Sequence, residues 1–249
     1  MFPLRDNIPT ENFPVVTVAL IVANVLMYFL FQKGGISLGE PSDTQFLCNL
    51  YEYGAIPKEV THPDFHVQAQ GCAQFDAPTW LTLFTAMFMH GGLLHLGGNM
   101  LFLWIFGNNV EDSMGPIKFV LFYVLGGLAA DALQIAFSVN SVVPTIGASG
   151  AVAAVLGGYL LLFPRARVVT LVFIIFFFTI LELPAIFFLG IWIIQQALFA
   201  YFDLFQPSGE GGGVAYFAHI GGFVFGLLAI RIFASERRRR RQLDRVGLR

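Results

Sequence analysis

The feature that most limits what this chain can become is its series of long apolar segments, each closed by a turn or a charge. Spans read over 14–31, 92–110, 117–137, 149–163, 184–201 and 214–233. At about 1.5 Å per residue, roughly 17–25 apolar residues cross a hydrocarbon core of about 30 Å. The segments end at recognisable stops: Glu111-Asp112, the Gly115-Pro116 turn, Pro164, and the five arginines Arg237–Arg241. Composition agrees, with 56% hydrophobic and 12% charged residues, where a soluble domain carries about 25% charged. Mean hydropathy is +0.71. The expected fold class is an all-α polytopic membrane protein: a bundle of six transmembrane helices with a large first extracytoplasmic loop, 32–91.

Two apolar stretches do not fit a span. Residues 79–90 are interrupted by Gly91-Gly92 and read as a membrane-dipping loop or an interfacial helix. Residues 168–181 fall short of the roughly 17 residues a span needs and stop at Glu182 and Pro184, so they read as interfacial or re-entrant. A seventh span there would put the five-arginine run on the outer side. With six spans, Arg5, Lys118, Arg165, Arg167, Arg231, Arg237–Arg241, Arg245 and Arg249 share one side, against Lys33 and Lys58 on the other. The positive-inside rule makes residues 1–13 a cytoplasmic lead, 14–233 the membrane domain and 234–249 a basic cytoplasmic tail. The acidic first loop, with Glu40, Asp43, Glu52, Glu59, Asp64 and Asp76, then lies outside. No basic leader or small-residue cleavage site accompanies Val15–Phe31, so it reads as a retained first span.

Cys48 and Cys72 both stand in that loop, where an outside position permits a disulfide and a cytosolic one leaves free thiols. With His62 and His66 they match no standard zinc spacing, so no metal and no cofactor is expected. The arginine run is an orientation signal rather than a nucleic-acid patch.

The polar residues within or beside the spans carry the chemistry: His90, His95, Asn99, Asp131, Ser149 and His219. Such side chains are costly at depth and face the protein interior. Counting from the charge that closes each helix places them. Ser149 lies about 24 Å above Arg165 and His95 about 24 Å above Glu111, with Asn99 about 18 Å above Glu111 and His219 about 18 Å above Arg231. All four fall in one layer of the outer half. A serine hydroxyl needs a base to take its proton, and histidine is the usual one. Gly222 and Gly226 form a G-x-x-x-G pair below His219, which suits close approach of the helix that Ser149 and Gly150 open. His95 and Asn99, at i and i+4, share a face and carry donors for an oxyanion, as does the Ser149 N–H.

Each feature also has a plainer reading: an N-capping serine, a histidine bonding between helices, glycines that only pack. Asp131, near the far end of its span, reads as structural, and no acid stands beside His219, so a Ser–His dyad is the simpler arrangement.

Together the motifs resemble those of the rhomboid intramembrane serine proteases. The likeness rests on Gly147-Ala148-Ser149-Gly150, on Ala218-His219 with Gly222 and Gly226, on His90 through Asn99, on Glu111 with Gly115, and on Phe2-Pro3-Leu4-Arg5-Asp6. It implies a six-helix core, a Ser149/His219 dyad and an oxyanion site of His95, Asn99 and the Ser149 backbone, with Gly147, Gly150, His90, Gly222 and Gly226 in support. It also implies transmembrane-protein substrates that unwind near the outer surface, with a small residue before the cut, in a lipid bilayer such as a bacterial inner membrane. Two positions depart from the pattern. Trp80 is followed by Leu81 rather than arginine, and Ala153 replaces an aromatic that would pack on His219. What holds His219 is therefore not given by the sequence, nor is the oligomeric state. The rival expectations are a non-catalytic relative that escorts membrane proteins, and a transporter using His95, His219 and Asp131 as a proton path.

Overall fold

A computed structural model describes residues 1–36, 43–73, 77–174, 177–205 and 214–248. Glu40, Asp76, Arg249 and most of the glycine-rich Asp203–Gly213 loop lie outside them. The described chain is mostly helical. Strand β1 (Phe2–Asp6) leads into α1 (Val15–Leu26), which continues as a π-helical turn over Met27–Phe31. The first loop carries α2 (Thr44–Tyr53), α3 (Pro57–Thr61) and α4 (Thr79–Thr85) with a 3₁₀ turn at Ala86–Phe88. Helix α5 (Leu93–Phe102) passes through a π turn (Leu103–Gly107) into α6 (Asn108–Met114). Then follow α7 (Pro116–Phe137), α8 (Ser149–Leu162), β2 (Arg167–Ile174), β3 (Phe177–Pro184), α9 (Ala185–Asp203), α10 (Tyr216–Phe233) and α11 (Glu236–Arg245). By length and composition, α7, α9 and α10 can cross a membrane among the described residues.

The sequence reading needs three corrections. The fold is not all-α: β1, β2 and β3 form an antiparallel sheet in that order. The run 168–181, read as interfacial or re-entrant with no strand expected, is most of a hairpin, with Arg167 opposite Pro184 and Ile174 opposite Phe177. The second helical segment does not stop at 110. It runs on to Met114, with Glu111 and Asp112 buried near its end.

Those two acids organise the end of the bundle that holds both termini. Glu111 accepts hydrogen bonds from the Val16 and Thr17 amides and the Thr17 hydroxyl, at 3.0, 2.8 and 2.8 Å. A carboxylate on one helix thus caps the amides that open another, where orphan donors and the helix dipole favour negative charge. Asp112 accepts from the Glu11 amide, the Asn12 side chain and Gln242. The last segment, read as a tail, is helix α11 docked against this cluster, with Arg241 and Arg245 paired to Glu11 at 3.3 and 3.6 Å. In the first loop, Cys48 and Cys72 form a disulfide.

Asp6 at the end of β1 accepts from Asn109 and from the Tyr159 hydroxyl of α8. Burial raises its carboxyl from 3.8 to about 7, the Tyr159 bond offsetting part of that rise. A folded pKa above the unfolded one means that the unfolded chain releases this proton first. The contribution of Asp6 to stability is therefore full below pH about 4 and falls as pH rises to about 7, then stays level. Thermal unfolding of Asp6→Asn should lose that slope; an unchanged slope would show that Asp6 does not titrate in this window.

The core is built around α8, whose residues Gly150–Tyr159 are all buried. A helix apolar and buried all round sits at the centre of a bundle. Helix α10 lies directly on it. A Cβ on Gly222 would strike the Gly150 carbonyl, one on Gly226 the Ala154 carbonyl, and one on Gly157 the Phe223 carbonyl. The two backbones are in contact, which small residues alone permit.

Candidate active site

Ser149 is the first residue of α8 and is partly exposed. The loop that delivers it is pinned twice to the first loop: Thr145 and Ala55 exchange backbone hydrogen bonds at 2.8 and 3.0 Å, and the Gly147 amide donates to Ala86 at 2.8 Å. Gly147 takes φ +115°, a conformation that disfavours any side chain. A Cβ there would also lie 2.6 Å from His95 Nε2 and 3.6 Å from Asn99 Nδ2. Both side chains of α5 therefore converge on the backbone just before Ser149, beside the N-terminal amides of α8.

Their hydrogen bonding decides what they can offer. His95 Nδ1 accepts from the Gly91 amide at 3.3 Å, which leaves the ring proton on Nε2, the nitrogen facing Gly147. Asn99 is 8% exposed, and its Nδ2 is buried without a hydrogen-bond partner among the described residues. Two donors, one of them orphaned, thus face the loop. His90 lies behind them: its backbone exchanges two 3.0 Å hydrogen bonds with the buried Gln32 amide, and its ring meets His95 edge-on at 5.1 Å.

His219 sits in the first turn of α10, beside the α8 contact at Gly150 and Gly222. Its Nδ1 is 2.8 Å from Gln196 Oε1 of α9. An amide oxygen can only accept, so Nδ1 carries the proton and Nε2 keeps its lone pair. Trp192, one turn earlier on α9, lies over the ring at 5.8 Å, and Tyr216 flanks it edge-on at 6.5 Å. Helix α9 therefore supplies what Ala153 does not. Among the described residues no hydrogen bond joins the Ser149 hydroxyl to His219.

A family model, Rhomboid domain, matches residues 77–236. The chain belongs to the rhomboid family. It is 30% identical over 173 residues to Rhomboid protein 1, mitochondrial, of Saccharomyces cerevisiae, covering 67% of this chain and 46% of the yeast protein. It is 32% identical over 147 residues to Rhomboid protease GluP of Bacillus subtilis, covering 59% of this chain and 24% of that one. RHOMBOID-like protein 6, mitochondrial, of Arabidopsis thaliana is 37% identical over 78 residues, 31% of this chain and 25% of the plant protein. The chain thus spans less than half the length of these rhomboid relatives.

One side chain of this candidate site, Gln196, escaped the sequence reading, and a second, Asp131, was weighed without its neighbours. Gln196 stands in an apolar span as part of Gln195-Gln196, and that polar pair was the available signal. Asp131, read as structural near a rim, lines the same small cavity as Ser149. Its position near the far end of the span did not say which face of α7 meets α8.

Proposed function

We infer that the chain is an intramembrane serine endopeptidase that cuts transmembrane segments of other membrane proteins. The observation that carries this reading is the His219 ring: Gln196 holds its Nδ1 proton, which leaves Nε2 as a base on the helix packed against the one that Ser149 opens. His219 Nε2 takes the Ser149 proton as Oγ bonds to the scissile carbonyl carbon. The resulting oxyanion is met by His95 Nε2–H, the Asn99 amide and the backbone N–H of Ser149. His219 then gives its proton to the leaving amine as the C–N bond breaks, and water hydrolyses the ester by the same route. No step calls for a metal or a cofactor.

The six-span topology, with both termini cytoplasmic in a membrane such as a bacterial inner membrane, belongs to this reading. The Cys48–Cys72 disulfide supports an outward-facing first loop, because such bonds persist in oxidising compartments. An escort protein without catalysis would have no need of an oriented base and an orphaned donor on the helices around Ser149.

The test is to incubate purified protein with a single-span model substrate and to map the cut by mass spectrometry, with fluorophosphonate labelling read in parallel. A cut inside the span with labelling at Ser149 is expected; a substrate left intact by an unlabelled protein would sink the assignment. Gln196→Leu gives a second check. Leucine fills similar space in an apolar setting, so a packing role would tolerate it. If Gln196 orients His219, kcat should fall about 10-fold or more with KM little changed, and Gln196→Glu, which keeps the acceptor, should restore turnover.

A further inference from the structure

The hairpin of β2 and β3 plays no part in the mechanism above, and the two faces of its sheet differ. Successive residues of a strand point to opposite faces, and residues directly opposite across an antiparallel pair share one. The inner face turns to the bundle, where Pro3, Val168 and Thr170 are buried. The outer face carries Arg5, Arg167 and Glu182 at the foot of the hairpin. Farther out, the same face carries Phe2, Leu171, Ile180, Phe173 and Phe178. Phe173, Phe178 and Ile180 are 63%, 71% and 58% exposed. Phe177 is exposed as well, although it belongs to the inner face, so this end of the hairpin reaches past the bundle.

Two physical limits choose what covers this end. A cluster of large apolar side chains is unfavourable in water and marks a surface that meets a partner or a membrane. Strand β3 is also an edge of the described sheet, so backbone groups along it have no neighbouring strand, and hydrocarbon offers them no hydrogen bonds. The boundary between lipid headgroups and acyl chains meets both limits: water and headgroups bond to the strand edge while the phenyl rings reach the chains. The foot suits the same depth, because Arg5 and Arg167 can meet lipid phosphates.

The outer face also continues a surface that faces lipid. Strand β3 ends at Pro184 and α9 begins at Ala185, with no residue between them. Helix α9 is long and apolar enough to cross a membrane. Phe187, Ile191, Ile194 and Leu198 form an exposed stripe along it.

We propose that the outer face of the sheet is a membrane-surface anchor. Its apolar end enters the acyl-chain boundary of the leaflet on the side of both chain termini, and its charged foot lies among the headgroups. A strand from another protein, or from a second copy, could cover the same rings, but it would leave the continuity with α9 and the arginines at the foot without a role. The anchor is independent of the proteolytic reading, since no step at Ser149 enters it.

The test places one spin label at a time. Both native cysteines are joined, so a cysteine introduced by Phe178→Cys or Phe173→Cys is the free thiol that takes the label. Neither ring is buried, so neither replacement removes a core contact. Glu182→Cys reports on the foot. The full chain is reconstituted in vesicles of phosphatidylethanolamine and phosphatidylglycerol. Collisions of the label with oxygen, which concentrates among acyl chains, are compared with those of a water-soluble nickel chelate present on both sides of the bilayer. The oxygen-to-nickel ratio should be several-fold higher at Phe178→Cys and Phe173→Cys than at Glu182→Cys. A label at Phe178→Cys that nickel reaches as readily as it does at Glu182→Cys puts the ring in water and overturns the proposal. A label that neither reagent reaches means that protein covers the face, and that overturns it too.

Discussion

Ser149→Ala is expected to reduce cleavage of a transmembrane substrate by about 10³-fold or more and to abolish fluorophosphonate labelling. His219→Ala should cost nearly as much, because an unactivated hydroxyl is a weak nucleophile. The double variant should be little worse than either single one, since nucleophile and base act as a unit and their losses do not add. Retained thermal stability is part of the expectation. Ser149 is partly exposed at a helix start, and its removal opens no large void. Turnover by Ser149→Ala at the wild-type rate would rule out the serine as nucleophile and with it the dyad. A His219→Ala variant that still labels at full rate would leave the serine active but show that its base lies elsewhere.

The second large effect concerns the fold. In Gly226→Val the new side chain has nowhere to go, because the Ala154 carbonyl of α8 occupies its place. Ordinary overpacking costs about 1–3 kcal/mol as neighbouring side chains shift. Here the obstacle is backbone, so the helices must separate, and the loss should lie at or above the upper end of that range. Unfolding in detergent should shift to much lower temperature. Labelling of Ser149 should fall with it, even though Gly226 stands two turns beyond His219. Gly190→Ala of α9 is the control: nothing lies within 4 Å of its added methyl, and alanine favours a helix. It should leave stability unchanged or slightly raised. If Gly226→Val proved as harmless as Gly190→Ala, the close contact of α8 and α10 would be wrong.

Most of the helical frame was legible because apolar runs bounded by Pro, Gly or charge are strong signals over long stretches. The apolar segments at 117–137, 149–163 and 214–233 coincide with helices α7, α8 and α10 to within two residues. The hairpin over Arg167–Pro184 was not legible. A run of apolar residues without alternation does not distinguish a strand from a buried helix, and its length excluded only a full span. Its partner β1 lies about 165 residues away in sequence, beyond any local pattern. The extent of α5 and α6 was misread because Glu111 and Asp112 look like a helix terminus. Their charges are instead consumed by the α1 amides and by the groups around Glu11 and Gln242.

At the candidate site, Ser149, His95, Asn99 and His219 were singled out by type and depth. Gln196 and Asp131 were not given their places, since which face a helix turns to its neighbour depends on packing. Periodicity along α7 and α9 is weak because both helices are apolar nearly all round.

The pairing of Phe2 with Leu171 also sets an order of events during synthesis. Strand β1 is made before α1, yet its partner β2 follows only once the ribosome has passed Leu171. The Tyr159 hydroxyl that meets Asp6 is likewise late. Strand β1 therefore settles only after α8, which opens with Ser149, has been made. A nascent chain halted before the hairpin would carry Ser149 but lack the sheet that closes this end of the molecule.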